Sequence, residues 1–128
     1  MTEFLAGSSN MNFPQAPQLF AGEMPIHTDR AQVTDGLSFE QYEVIALAAD
    51  GKIIKFNPAG SAPANVAAGI LLNSVDTTSV TGQWSAYYTG GCFNHAALVW
   101  PAGTTHDTFA ERKAAFAGLK TIGIAKVI

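Results

Sequence analysis

The sequence predicts a mainly β fold: a small mixed β domain with one short helix in its C-terminal region, preceded by an extended N-terminal arm. Short apolar stretches separated by turn residues fill most of the chain after residue 36, which is typical of strands. A helix signature follows them, and three prolines interrupt the first 36 residues. At 128 residues the chain has the length of one domain. We divide it into an arm, residues 1–35, and a compact β-rich domain, residues 36–128.

The strands are predicted from apolar stretches and the turns between them. Asp50–Gly51 is a strong hairpin signal between two such stretches. Gly90–Gly91 is interpreted as a second turn, and Pro101 ends the strand that follows it. The predicted strands are 39–49, 52–56, 66–75, 84–89, 92–100 and 121–127.

The single helix is predicted after residue 107, where the spacing of apolar residues changes. Thr108 and Glu111 match a capping box, in which each side chain satisfies a backbone N–H group at the start of a helix. Phe109 and Phe116 then share one helix face. Gly118 is typical of a helix end, so we expect two to three turns.

The N-terminal arm carries large apolar residues but has no periodic pattern. Pro14, Pro17 and Pro25 exclude a helix interior and remove strand hydrogen-bond donors. We expect an extended segment that something outside it orders, and a mobile terminus is the alternative. Its apolar anchors are Phe13, Phe20, Met24 and Ile26.

The charge content limits the possible functions. Charged residues make up 13 % of the chain, against about 25 % in a typical soluble domain. Two explanations of this low charge content remain open. Much of the surface is buried against a partner when the protein functions, or the domain is rich in small residues and has uncharged polar residues on its surface. The net charge of −3 argues against a basic nucleic-acid binder, and we expect no nucleic-acid partner.

The chain's apolar runs and its cysteine content exclude further classes. Apolar runs such as 96–103 are far shorter than the ~18 residues that span a bilayer, and we expect no membrane partner. The N-terminus has no basic residue before an apolar core, so we expect no signal peptide. Cys92 is the only cysteine, which excludes an internal disulfide.

No catalytic, metal or cofactor site is predicted. The chain has no phosphate-binding glycine loop and no nucleophile elbow. His27, His95 and His106 are scattered without metal-ligand spacing. Cys92 and His95 could form a thiol–imidazole pair, but residues three apart on a strand point to opposite faces. A hydrolase that uses this pair is therefore the weakest hypothesis, and we expect no enzyme.

A small β-barrel binding module is the alternative to a structural role. It would take an apolar or sugar ligand in a cavity lined by aromatic residues. Those residues are Trp84, Tyr87, Tyr88 and Trp100.

Several stretches resemble the lambda-type bacteriophage head decoration (capsid cement) proteins, in the right order along residues 25–128. Leu98-Val99-Trp100-Pro101 and the later Arg112–Gly118 stretch (RKAAFAG) carry the most specific part of the resemblance. The weaker matches are Pro25-x-His27-Thr28, Gly36-Leu37-Ser38, Asn65–Leu71 and Ile122-x-Ile124.

The resemblance implies a non-enzymatic late protein of the virion, made in the host bacterial cytoplasm, without a cofactor. It implies homotrimers on the outer surface of the expanded head, at three-fold and quasi-three-fold positions, that stabilise the shell against packaged-DNA pressure. The N-terminal arm would add a strand to the major capsid protein. The implied capsid-binding arm residues are Phe13, Phe20, Met24, Pro25, Ile26, His27 and Thr28. We assign to the structural core or trimer interface Trp100, Pro101, Phe109, Phe116 and Gly118.

Overall fold

The computed structural model describes residues 18–101 and 106–126, and it is mainly β as predicted. Within these residues there are eight strands, one short 3-10 helix and one α-helix. The strands are β1 His27–Gln32, β2 Ser38–Phe39, β3 Val44–Leu47, β4 Ile53–Lys55, β5 Gly69–Leu71, β6 Val75–Asp76, β7 Trp84–Asn94 and β8 Ile122–Ala125. The helices are the 3-10 helix His95–Ala97 and α1 Phe109–Ala115.

The main sheet is built around the long strand β7. Its strand order is β1-β7-β5-β3-β4, all antiparallel, and β8 pairs in parallel with the second half of β7. After β1, Val33 forms a parallel bridge with Ile53 of β4, and the Thr34 N–H donates to the Ile53 carbonyl at 3.1 Å. This bridge joins the two ends of the strand order, so the sheet closes into a partial barrel. A separate two-stranded sheet pairs β2 with β6.

Two hydrophobic cores lie on opposite faces of the sheet. Strand residues alternate between faces, so Val44 and Ile70 enter one core while Ile45 and Leu71 enter the other. We call the first, which contains Phe93, the outer core, because α1 and β8 cover it. Burial on both faces explains why these strands are continuously apolar.

The predicted hairpin at Asp50–Gly51 is confirmed, because β3 pairs with β4 across it. Gly51 has a φ of 85°, a left-handed conformation that favours glycine at this turn. The predicted strand 66–75 is shorter in the structure. Only Gly69–Leu71 joins the main sheet, and after a bend Val75–Asp76 pairs with β2 instead.

The predicted turn at Gly90–Gly91 is wrong. β7 runs through both glycines to Asn94, and the 3-10 helix replaces the end of the predicted strand 92–100. A Cβ at Gly90 would lie 3.0 Å from the His27 ring and 3.1 Å from the Pro25 carbonyl. Gly90 is therefore required by a close approach of the neighbouring chain and not by a turn.

The predicted helix and its N-cap are confirmed. The Thr108 hydroxyl accepts a hydrogen bond from the Glu111 N–H at 3.3 Å and donates to the Glu111 carboxylate at 2.8 Å. The helix ends at Ala115, and Phe116 is the C-cap, so Gly118 lies beyond it. The predicted closing strand is confirmed as β8, over Ile122–Ala125.

Candidate interaction surface

The N-terminal segment of the described chain runs antiparallel along the second half of β7. We call residues 18–26 the docked segment. The Asn94 N–H donates to the Leu19 carbonyl at 2.8 Å, and the Ala21 N–H donates to the Cys92 carbonyl at 3.0 Å. After this segment the chain rejoins β7, with His27 opposite Gly90, and continues as β1. The second part of the predicted arm thus lies along the sheet, while its boundary at residue 35 stays a prediction.

Phe20 holds the docked segment against the outer core. Its ring packs edge-on against Tyr88, with ring centroids 5.5 Å apart, and lies 5.3 Å from the ring of Phe93. Such aromatic contacts stabilise a structure beyond the area that they bury. Phe20, predicted as a capsid contact, is therefore occupied within the protein's own fold.

Glycines allow the docked segment to approach the sheet closely. A Cβ at Gly22 would lie 2.8 Å from the Cys92 sulfur, and one at Gly123 of β8 would lie 2.6 Å from the Met24 sulfur. Contacts this short are not seen for real Cβ atoms, so a substitution at Gly22 would force the segment or Cys92 to move, and one at Gly123 would displace the Met24 side chain. Met24 is half-buried in this contact, like Phe20. Gly123 lies inside the predicted strand 121–127, where an isolated glycine signals a close backbone approach, whereas Gly22 lies in the arm and carries no such signal.

The remaining predicted arm residues face solvent. Pro25, Ile26, His27 and Thr28 are exposed, and the Ile26 side chain is 53 % exposed. We call these four residues the exposed strip. Within the described chain β1 pairs with β7 on one edge, and no strand pairs with its other edge. Phe13 lies outside the described residues.

The predicted core and interface residues gather near α1, with one exception. Phe116 is buried, 3 % exposed, and its ring packs edge-on against Trp100 at 6.1 Å. Trp100, Pro101 and Phe109 are half-buried. Gly118 is exposed, and a Cβ there would contact nothing within 4 Å. Their role in a trimer interface stays a prediction.

Arg112 of α1 ties the helix to the end of β7. Its guanidinium donates to the His106 carbonyl at 2.8 Å, and it contacts the His95 Nδ1 at 3.1 Å. The Trp100 indole N–H donates to the His95 carbonyl at 3.0 Å. Burial and the charges of Arg112 and Lys126 lower the pKa of His95 below its usual value of 6.5. At neutral pH His95 is therefore an uncharged acceptor for Arg112.

The side chains of Cys92 and His95, the candidate thiol–imidazole pair, contact different parts of the structure. The Cys92 sulfur lies against Gly22 of the docked segment, while the His95 ring contacts Arg112 and lies 5.1 Å from Phe109. No hydrogen bond joins Cys92 to His95 in the described structure. Among the described residues no group of three or more histidine, cysteine or acidic side chains could hold a metal ion.

The four aromatic residues of the alternative binding module do not line one cavity. A cavity of about 390 Å³ includes Tyr87, a second of about 420 Å³ includes Trp100, and a third of about 290 Å³ includes Trp84. Tyr88 instead packs against Phe20. The barrel interior is filled by side chains of the core that contains Ile45 and Tyr87.

The cavity beside Trp100 is lined by two carboxylates, Glu40 and Glu43, and one of them is engaged in an ion pair. In the cavity beside Trp100, the buried Glu43 carboxylate is paired with the Lys55 ammonium at 2.9 Å. Lys55 also donates to the Ser38 carbonyl and lies over the Phe39 ring. The cavity beside Tyr87 is mainly apolar, with Val66 and Leu119 in its wall.

No α-helix among residues 18–101 and 106–126 has the length and apolar character needed to cross a membrane.

A protein-family model described as bacteriophage lambda head decoration protein D matches residues 11–124 of the chain. The chain belongs to this family. Head decoration proteins are structural components of the phage head, so the chain decorates a capsid as part of a virion. This family membership argues against an enzyme. No curated protein matches the chain.

The match extends over most of what the structure describes of this head decoration protein. It includes the docked segment, the whole of β7 and α1, and most of β8. It begins at residue 11, before the docked segment. The docked segment thus lies within the matched residues.

Proposed function

We propose that this head decoration protein forms homotrimers on the outer surface of the expanded phage head, at three-fold and quasi-three-fold positions, and stabilises the shell against the pressure of packaged DNA. The observation that carries the proposal is the family match over residues 11–124. The charge content of 13 % supports it, because interface cores between subunits are depleted of charged residues. The partners are other copies of the chain and the major capsid protein, with synthesis in the host bacterial cytoplasm. Neither nucleic acid nor a membrane is a partner in this proposal.

The N-terminal arm is the proposed attachment element, and it adds a strand to the major capsid protein. Strand addition suits an extended segment, since backbone hydrogen bonds supply affinity and alternate side chains supply specificity. The contacts of the docked segment divide the arm between two tasks. Phe20 and Met24 hold it to the body, while Phe13 and the exposed strip contact the capsid. The exposed strip is available for this role because its four residues face solvent.

The docked segment reduces the cost of attachment. Fixing the backbone of one residue costs about 1–2 kcal/mol, so a long free arm would lose much of its binding free energy to ordering. Residues 18–26 are already ordered before attachment, because two backbone hydrogen bonds and the packing of Phe20 hold them on the body. Three arms on one trimer then act together, and avidity of this kind can exceed a single affinity by about 10²–10⁴-fold.

The test is a deletion of residues 1–17 that keeps the docked segment intact. A longer deletion, of residues 1–30, would remove Phe20 and four of the six residues of β1, so it would damage the fold as well as the arm. We expect the shorter deletion to leave a folded trimer, measured by light scattering, that binds expanded capsids more weakly than the full chain in a sedimentation assay. A monomeric deletion variant would contradict trimerisation by the body. Capsid binding as tight as that of the full chain would contradict a role of residues 1–17, including Phe13, in attachment.

A pair of point variants tests the exposed strip separately. Ile26→Asp places a charge on a side chain that is 53 % exposed, and we expect it to lower capsid occupancy without changing the melting temperature. Val80→Asp is the matched control, because Val80 is 45 % exposed and lies outside the arm. Equal occupancy for both variants would remove Ile26 from the proposed contact.

A further inference from the structure

The cleft beside Trp84 has features that capsid decoration does not use. Trp84 starts β7, and its side chain is 57 % exposed, whereas Phe20, Phe93 and Phe116 all pack into the outer core. A cleft of about 290 Å³ lies next to it, close to the lower limit of about 300 Å³ for small-ligand pockets. Its lining residues are Arg30, Ala31, Gln32, Asp50, Gly51, Lys52 and Trp84.

Strand register places three of these side chains on one face. Gln32 is directly opposite Trp84, and Arg30 is opposite Ala86, two residues further along β7. Residues directly opposite on antiparallel strands share a face, so Arg30, Gln32 and Trp84 all project from the same side. The turn of the β3–β4 hairpin supplies the other wall, where the Asp50 carboxylate accepts a hydrogen bond from the Lys52 N–H at 3.1 Å.

The charges of the cleft differ from those of the whole chain. Arg30 and Lys52 are two cations beside one acid, Asp50, while the whole chain has a net charge of −3. In the part of the chain that the structure describes, neither the Arg30 guanidinium nor the Lys52 ammonium forms a salt bridge. A planar guanidinium forms paired hydrogen bonds with a carboxylate, so an acidic ligand complements this cleft.

We propose that the cleft beside Trp84 binds an acidic saccharide. One face of a pyranose ring presents C–H groups, and these pack on an exposed indole, whose ring is apolar. Arg30 and Lys52 receive the carboxylate of the sugar. Gln32 and Asp50 bond to its hydroxyl groups, which both donate and accept hydrogen bonds.

The position of the cleft makes it reachable on a decorated head. Trp84 and Asn94 are at opposite ends of β7, which at about 3.3 Å per residue are up to about 33 Å apart. The docked segment enters at the Asn94 end, and the exposed strip ends at Thr28, opposite Tyr88, so the proposed capsid contact stops four residues short of Trp84 along β7. This accessibility rests on the proposed function. Binding by the isolated protein does not, so the two can fail separately.

Titration of the full-length protein with saccharides tests the proposal. The acidic probes are oligogalacturonate, a hyaluronan oligomer and sialyllactose, and the neutral probe is a malto-oligosaccharide of matched length. We expect at least one acidic probe to shift the amide signals of Arg30–Gln32 and Asp50–Lys52 and the Trp84 indole signal in NMR spectra, and to bind at least about tenfold more tightly than the neutral probe. Failure of all three acidic probes, or shifts confined to other residues, would overturn the proposal.

Variants of the cleft complete the test. We expect Trp84→Ala and Lys52→Gln each to weaken binding of the acidic probe at least about tenfold, equal to about 1.4 kcal/mol. Lys120→Gln is the matched control, since it removes the same charge from an exposed lysine outside the cleft, and it should leave binding unchanged. Equal losses for Lys52→Gln and Lys120→Gln would show a nonspecific charge effect and overturn the site. Tighter binding of a single-stranded oligonucleotide than of every saccharide would overturn the ligand class.

Discussion

The docked segment and helix α1 both pack on the outer core, but they are held there by different kinds of contact. The docked segment is held by backbone hydrogen bonds to β7, by the Phe20 ring, and by close approaches at Gly22 and Gly123, which have no Cβ. Helix α1 and its C-cap are held by side chains: Phe116 is buried in the core, and Arg112 reaches the end of β7. The docked segment therefore requires two positions without a Cβ in addition to the Phe20 ring, whereas α1 is held through side chains. Adding a methyl group should damage one region, and removing a ring should damage the other.

The largest expected effect is the removal of a ring from the helix region. Phe116→Ala empties a site that is 3 % exposed and loses the contact with Trp100, so we expect it to lower the free energy of unfolding by about 3–5 kcal/mol. Chemical denaturation measures this change. Phe109→Ala is the control on the same helix, and because Phe109 is only half-buried its cost should be clearly smaller. Equal costs for the two variants would mean that the burial difference does not control helix packing.

The same contrast explains what the sequence could predict. Helix α1 can be predicted from its own side chains, because Thr108 and Glu111 cap it and Phe109 and Phe116 have helical spacing. The turn at Asp50–Gly51 is likewise specified by the two residues that form it. Because the helix and the hairpin both depend on residues close together in the chain, a single sequence is enough to predict them.

The docked segment could not be predicted in this way. Its partners are carbonyl and N–H groups of a strand some 70 positions later, and every residue type has these groups. Gly90 signals a turn in the sequence, but in the structure it accommodates His27 and Pro25. The Trp84 cleft was missed for a similar reason, since Arg30, Asp50 and Trp84 meet only through strand register and the closed sheet.

The second prediction adds a methyl group where the docked segment approaches β8. Gly123→Ala would place a Cβ 2.6 Å from the Met24 sulfur, so the Met24 side chain must leave its place against β8 and its contact with the sheet is lost. Overpacking of this kind costs about 1–3 kcal/mol. We expect faster proteolysis within residues 18–26 and faster reaction of the Cys92 thiol with a disulfide reagent, because the segment packs against that sulfur.

Gly118→Ala is the matched control for this substitution. A Cβ at Gly118 would contact nothing within 4 Å, so its proteolysis and thiol reactivity should equal those of the unmodified chain. If Gly123→Ala behaves like Gly118→Ala in both assays, the close approach does not hold the segment in place.

The third prediction removes the N-cap of α1. Thr108→Ala loses the hydrogen bond from the Glu111 N–H and should lower the free energy of unfolding by about 1 kcal/mol. Thr108→Ser keeps the hydroxyl oxygen and should retain most of the stability, as measured by thermal denaturation. A serine variant as unstable as the alanine variant would show that the cap does not act through this oxygen.

The smallest expected effect is a pH dependence carried by the contact between Arg112 and His95. Burial first, and then the charges of Arg112 and Lys126, lower the pKa of His95 in the folded protein below its usual value of 6.5. The unfolded chain therefore binds a proton that the folded chain excludes, and stability rises with pH in this range. The contribution is complete above the unfolded pKa and is lost progressively as the pH falls below it, until the folded protein also binds the proton. We expect His95→Gln to flatten the pH dependence of the melting temperature between about pH 7 and about pH 5. Arg112→Gln should raise the His95 pKa in an NMR titration, and Lys126→Gln should raise it less. A His95 pKa unchanged in Arg112→Gln would contradict this contact as the link between α1 and the end of β7.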